Sequence, residues 1–308
     1  MCIINADGFQ GWGCDHKNKI IFIRTKTVEG YLEKIKIMEE TGRASLEDIE
    51  SLIGKLNWLS TIILQARVLA PPLQWKLNEH KVVDEVGSLQ NGKKTVDLGC
   101  IILKDLKLTQ FLLKNRNSKP AIAAVYNWRK WGPSIKGSSD AAKFHGIGWI
   151  VNDTGAWCSE SFHGNAWAMS LDQNQSEATG ALSIINHLAP RAKLTGCIIV
   201  LENDNRSVIA AVSKKGSFRA SLYAFSRAIV WAEARWGVPV YLRFVEGDDN
   251  IADAPSRPAK GTWWEHFKYA CAHHKDWLGG LEPIAIGPRV HSPLEVLRTQ
   301  ILKKERFF

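Results

Sequence analysis

The stretch VEGDDNIADAPSR, residues 245–257, holds three aspartates and an asparagine. A Gly-Asp-Asp triplet can serve as the metal site of a polymerase, which would single out Asp248 and Asp249. The better candidate is Asp253, because it completes a set of four acids: Asp140 within the first strand, Glu177 in the first turns of a helix, Asp204 at the end of the central strand and Asp253 at the start of the last helix. Four carboxylates converging on one point repel one another unless cations hold them, and ligation by oxygen alone selects Mg2+ or Mn2+. Two such ions about 4 Å apart can clamp the attacking and leaving oxygens of an in-line phosphodiester cleavage. Asp248 and Asp249 read as solvated loop carboxylates, with Asp249 a candidate N-cap of the helix that follows. Asn250 is placed to fix the loop backbone through its side chain.

The elements that must position these acids are legible from residue 134 onward. SIKGSSDAA (134–142), GIGWIVN (146–152) and AWCSESF (156–162) read as three short strands joined by tight turns. Residues 174–189 suit a helix whose inner face carries Ala178, Ala181, Leu182 and Ile185. GCIIVLEND (196–204) is an apolar run ending in polar residues, as a buried central strand does. Helices over 205–213 and 217–236, a strand over 238–245 and a helix starting within 249–256 complete the order β-β-β-α-β-α-β-α. That order predicts an α/β fold with a mixed five-stranded sheet flanked by helices. Trp149 and Trp157 read as core residues of the hairpin strands.

Upstream, residues 11–24 read as a β-hairpin and 28–41 as an amphipathic helix stopped by Gly42. Ser45 with Asp48 three residues on caps a second helix, with Leu46, Ile49, Leu52, Ile53, Leu56 and Leu59 at helical spacing, ending before Pro71-Pro72. A polar stretch covers 80–97 and a further helix 102–114, which closes in the basic run KNRNSKP, a candidate domain boundary. Four segments result: a hairpin, 1–27; a helical region, 28–117; an α/β domain, 118–258; and a basic, aromatic segment, 259–308, with no assigned role.

The 308 residues are 45% apolar and 23% charged, an ordinary globular composition. Forty Lys and Arg against thirty-one Asp and Glu, a formal net charge of +9, suit a polyanionic partner such as nucleic acid. Six cysteines (2, 14, 100, 158, 197, 271) form no CxxC pair, and His266, Cys271, His273 and His274 fit no closed tetrahedral metal pattern. Neither a signal peptide nor a long apolar run is present, so an intracellular protein without a membrane partner is expected.

SSDAAKFHGIGWIV, QNQSEATGAL, IIVLENDNRSVIAAV and VEGDDNIADAPSR occur in the order found in retroelement ribonuclease H domains, each with an acid at its expected place. Residues 134–257 thus resemble the ribonuclease H domain of a gypsy-type or DIRS-type retrotransposon reverse transcriptase. The upstream LEDIESLIGKLNWLSTIILQARVLAPPLQWKL is similar to the helix that follows the palm in those polymerases, where an L-x-G-x-L-N core recurs. The resemblance implies a palm-end hairpin over 1–27 and a thumb or connection region over 28–117. It implies two Mg2+ ions, with Mn2+ as substitute, held by Asp140, Glu177, Asp204 and Asp253 as metal ligands and catalytic residues. By this likeness Asp140 bridges both ions, Asp253 helps hold the one that activates water, and Glu177 with Asp204 holds the other. The helix start QSEATGAL departs from the family's Ile-Asn then Glu-Leu pattern, and no histidine matches the family's product-release loop.

The implied substrate is the RNA strand of an RNA–DNA hybrid, recognised by shape through 2′-hydroxyls and phosphates. Arg206, Lys214, Lys215 and Arg219 are candidate phosphate contacts, with a solvated helix end as the alternative for the lysines. Ser139 and Asn205 are candidates to reach sugar hydroxyls. No Tyr-x-Asp-Asp segment precedes the hairpin, so this chain is expected not to polymerise nucleic acid by itself, and polymerase domains of the same element would be partners. Two other readings stand beside the ribonuclease: a non-catalytic nucleic-acid-binding remnant, and a DNA nuclease or integrase of the same fold.

Overall fold

The computed structural model of the chain describes residues 12–15, 20–23, 25–60, 63–84, 95–114, 133–276 and 279–302. They belong to two units, Met1–Lys130 and Trp131–Phe308.

In the first unit, strands β1 (Trp12–Asp15) and β2 (Ile20–Ile23) form the expected antiparallel hairpin. Helix α1 (Thr25–Thr41) is followed by β3 (Arg43–Ser45) and α2 (Leu46–Leu59). The Ser45 hydroxyl accepts the Asp48 N–H (3.0 Å) and donates to the Asp48 carboxylate (2.6 Å), the cap its spacing predicts. Ile49, Leu52, Leu56 and Leu59 form the buried stripe of α2. That helix closes at Leu59, and after a 3-10 turn (Leu64–Leu69) Pro71 and Pro72 lie in the first turn of α3 (Ala70–Asp84). There a missing N–H costs nothing, so the prolines open a helix rather than close one. Strand β4 (Thr95–Asp97) pairs antiparallel with β3, and α4 (Gly99–Lys114) packs Leu106, Leu108 and Leu113 into the core.

The second unit is built on a five-stranded mixed sheet. β5 (Ser134–Ala142), β6 (Gly146–Val151) and β7 (Trp157–Ser161) are the antiparallel meander expected from three short strands joined by tight turns. Helix α5 (Ala166–Met169) leads to α6 (Gln173–Thr195), which crosses over to β8 (Ile198–Asn203), parallel to β5. Helices α7 (Arg206–Ser213) and α8 (Ala220–Trp236) precede β9 (Val240–Phe244), parallel to β8. The strand order is β7-β6-β5-β8-β9. Ile147, Trp149, Leu182, Ile185, Ile199 and Leu201 belong to its main core. Trp149 donates its indole N–H to Ser183 Oγ (2.7 Å) and stacks on His187, a core role as expected.

The segment past residue 259 is built into the same unit. Helix α10 (Trp263–Ala272), which follows the short α9 (Asp253–Ser256), sets Trp263, Trp264 and Phe267 against Trp157 and Ile150. Residues 287–290 then run beside β7: Trp157 N–H donates to Pro288 O (3.1 Å) and Val290 N–H to Trp157 O (2.7 Å). This covers an edge that would otherwise offer unpaired backbone groups. Helix α11 (Leu294–Leu302) adds Leu294, Leu297 and Ile301 to the main core.

A second sequence expectation fails here, after the helix end at Leu59. Lys215 is not a surface contact: it is only 2% exposed, forms an ion pair with Glu233 and donates to Val240 O (2.8 Å). Glu233 also accepts the Val240 N–H (2.7 Å), so the pair clips the end of α8 to the start of β9. Removing one partner strands a buried charge. Glu233→Ala should cost about 3–5 kcal/mol, lowering the thermal midpoint by on the order of 10 °C. The double variant Lys215→Met/Glu233→Leu should recover most of that loss, both read by circular dichroism melts.

Candidate metal centre

The site begins where two strands part. The β5–β8 ladder ends at the pair Ser138–Glu202, yet β5 continues to Ala142 beside β6. Beyond Ser138 the β8 side of β5 therefore has no strand partner, and buried backbone groups there need other partners. Side chains supply them. Ser139 O accepts from Asn203 Nδ2 (3.1 Å) and from Asn250 Nδ2 (3.2 Å). Ala141 N–H donates to Glu177 Oε2 (3.1 Å), and Ala141 O accepts from Gln173 Nε2 (2.8 Å). The chain segments that carry the acids are thereby drawn to one stretch of β5.

Two glycines permit the approach. A Cβ on Gly180 of α6 would sit 3.0 Å from Asp140 O, so the helix lies close against β5 at the acid. A Cβ on Gly148, which pairs with Asp140 across β5–β6, would meet Ser256 N at 2.3 Å and Pro255 C at 2.5 Å. Helix α9 thus rests on the β6 backbone, and Ser159 Oγ donating to Pro255 O (2.7 Å) fastens it there.

Asp140, Glu177 and Asp204 come together as the sequence pattern suggested. Each offers a carboxylate oxygen, and these atoms lie within 4.8 Å of one another. Asp140 and Glu177 are buried, and Asp204, just past the end of β8, is half-buried. Glu177 is oriented by three donors: Ala141 N–H, Gln173 Nε2 (2.7 Å) and Asn203 Nδ2 (3.3 Å). Asn250 Nδ2 also reaches Asp140 Oδ1 (3.5 Å), while Asp140 Oδ2 is buried and has no hydrogen-bond partner. A buried carboxylate oxygen without a donor, facing two more acids, fits a hard divalent cation. These three residues could hold a metal ion.

The electrostatics agree. Burial pushes the Asp140 carboxyl up to about 7; the nearby Ser256 hydroxyl opposes this and the charges of Asp204 and Asp253 add to it, but that hydroxyl donates to Asp253 O (2.8 Å) and leaves Asp140 Oδ2 without a hydrogen bond. Burial, then Asp140 and Asp204, pushes Glu177 up to about 9 despite its hydrogen bonds. Asp204 is raised too, first by burial and then by Asp253.

Asp253 stands apart from this trio. It opens α9 as expected, and its charge is felt by both Asp140 and Asp204. Its carboxylate, however, is not one of the three gathered groups and accepts from Arg257 Nη2. Asp248 and Asp249 lie in an exposed 3-10 turn, Gly247–Asp249, with Asp249 3.8 Å from Lys275 Nζ. Asp249 does not cap α9: Ala252 is the N-cap residue and no side chain caps it. Asn250 instead fixes the loop, accepting the Ala252 N–H (3.2 Å) while its amide reaches β5.

The predicted nucleic-acid contacts divide. Arg206, Lys214 and Arg219 are exposed, with Arg206 stacked 4.1 Å above the Phe244 ring. Lys215 is buried in its ion pair. Ser139 is fully buried, 0% exposed, so it cannot touch a sugar; its place on β5 turns it under α6 beside Asn203. The Asn205 side chain caps α7, accepting from Ser207 N–H (3.0 Å) and Val208 N–H (3.1 Å) and donating to Asn174 Oδ1 (3.0 Å).

Three further residues carry roles that the motifs do not assign, although Gln173 and Arg257 stand inside the motifs that hold Glu177 and Asp253. Gln173 stands one helical turn before Glu177, at i,i+4, a spacing that could have flagged it. Arg257 stands at the same spacing from Asp253. The third is His274, buried beside the cluster's strand with its Nε2 3.6 Å from Glu202 Oε2 and touching none of the gathered acids; no local pattern marks it. Among the described residues no metal-ligating group forms around His266, Cys271, His273 and His274, and no helix is long and apolar enough to cross a membrane. Comparison with protein-family models, with curated proteins and with solved structures returned no match.

Because Asp140, Glu177 and Asp204 bind protons more readily in the folded chain than in the unfolded one, their contribution to stability is full below about pH 4. It is lost as pH rises through about 7 and about 9. A divalent cation held by the deprotonated acids would reverse that loss. Mg2+ or Mn2+ should raise the thermal midpoint by several degrees at pH 8.5 and by almost nothing at pH 5. Asp140→Asn should raise the metal-free midpoint at pH 8.5 and reduce the response to cations, both read by differential scanning fluorimetry.

Proposed function

We propose that the chain is a metal-dependent ribonuclease H, an endonuclease that hydrolyses the RNA strand of RNA–DNA hybrids, and that it derives from a retroelement reverse transcriptase. One observation carries this reading: Asp140, Glu177 and Asp204 meet at the open edge of β5, with a donor-free buried oxygen on Asp140. The order of strands and helices, the basic balance of +9 and the motif run from SSDAAKF to NIADAPSR support it.

Asp140, Glu177 and Asp204 would hold the first cation, and Asp253 would join Asp140 in holding a second. Mg2+ at such a centre lowers the pKa of bound water and neutralises charge building on the phosphodiester, which is the chemistry the reaction requires. The chain's own residues prepare for it. Asn203 and Gln173 keep Glu177 turned towards Asp140, and Asn250 keeps Asp140 turned towards the cluster. The buried setting of these acids strengthens every charge interaction made there. Arg206 follows Asp204 by two residues, and with Lys214 and Arg219 it offers exposed positive charge to a phosphate backbone.

Purified protein incubated with labelled RNA–DNA hybrid, double-stranded DNA and single-stranded RNA should degrade only the RNA of the hybrid, with Mg2+ and not with EDTA. Asp140→Asn should abolish cleavage with the fold intact, whereas Asp249→Asn should stay within a few-fold of wild type. Hybrid binding without cleavage would favour a non-catalytic nucleic-acid-binding protein, and cleavage of duplex DNA would favour a DNA nuclease. Arg206→Ala/Arg219→Ala should weaken hybrid binding and lower the salt slope by about 2, roughly 0.9 for each phosphate no longer neutralised. Lys214→Ala added to that pair should lower the slope further.

A further inference from the structure

Arg257 is a cation already seated among the acids. Its Nη2 donates to Asp253 Oδ1 at i,i+4 across the single turn of α9, and its charge also reaches Asp140 and Asp204. Its Nε is buried without a hydrogen-bond partner, so the head group is held by this ion pair and by the acid field around it. The backbone beneath is fixed. Gly148 lets α9 sit directly on β6, Ser159 holds Pro255 O, and Ser256 Oγ donates to Asp253 O (2.8 Å). With the backbone pinned, what remains free to change is the Asp253 carboxylate and its partner.

We propose that Arg257 is the resident counter-cation of the site. One cation position, among Asp140, Glu177 and Asp204, is assembled in advance; a second, which uses Asp253, forms only when a divalent ion takes the guanidinium's place. This inference rests on the reading of the acid cluster as a divalent-cation centre. The guanidinium cannot leave by losing a proton, because arginine stays charged at every accessible pH. The second ion must compete with it directly. The contest is feasible because the pair is partly solvated, with side-chain exposures of 35% for Arg257 and 42% for Asp253, and such pairs are weak. Arg257 thus sets the cation concentration at which the second position fills. It is a positioning residue, acting through Asp253.

Isothermal titration of the full chain with Mn2+ and with Mg2+, in the absence of nucleic acid, tests this. Wild type should show a tighter and a weaker event. Arg257→Gln should tighten the weaker one by about two- to fivefold, the range expected for loss of a partly solvated ion pair, and leave the tighter one unchanged. Arg257→Lys, which keeps the charge and is the milder change for folding, should remain close to wild type. Asp253→Asn should remove the weaker event alone. If Arg257→Gln leaves the weaker event unaltered or weakens it, Arg257 merely braces Asp253 and the inference is wrong. If Asp140→Asn alters neither event, the cation-centre reading itself fails, a result separable from failure of the Arg257 role.

Discussion

The acid site depends on four residues of β5, 139 to 142, that have a strand on one side and none on the other. A buried strand edge without a ladder leaves amide and carbonyl groups that must be satisfied, at a cost of about 1–3 kcal/mol for each one that is not. Here they are satisfied by Asn203, Asn250, Glu177 and Gln173, from β8, the loop before α9, and α6. The same requirement that completes the sheet therefore brings the acid-bearing segments together. Glu177 serves both purposes at once: one oxygen accepts the Ala141 N–H and the group as a whole faces Asp140.

Bringing carboxylates together in this way opposes folding. Desolvation and mutual repulsion hold all three acids above their ordinary range, so the metal-free centre is at its least stable in mildly alkaline conditions. The surrounding structure is built to bear it. The Lys215–Glu233 pair clips α8 to β9, α11 fills the main core, and the segment along β7 closes the outer edge. Residues 279–302, which carry no recognisable motif, are as much part of this scaffold as the strands themselves.

Much of this is legible in the sequence, for identifiable reasons. The turn residues that bound the short strands in 134–162 and the apolar run of β8 mark the strands, so these and their order can be read from residue types. Glu177 and Asp204 can be placed because a helix start and a strand end converge at a switch point of a mixed sheet, and Asp140 because it lies on the strand beside that point. What cannot be read is burial decided by tertiary contacts. Lys215 and Ser139 look like surface residues by type, and only the packing of α8 on β9 and of α6 on β5 encloses them. Asn205 has the type and position of a substrate contact, but its side chain caps α7. The role of 259–302 is equally hidden, because its aromatic residues follow no single period and their partners, Trp157 and Ile150, lie more than a hundred residues earlier.

The direct test of the central claim is an anomalous difference map from crystals of the chain soaked in Mn2+. A peak within bonding distance of Asp140, Glu177 and Asp204 carboxylate oxygens is the expected result. A map with no peak there, with the three side chains ordered and deprotonated, would show that the open edge of β5 gathers acids for the sake of the sheet alone.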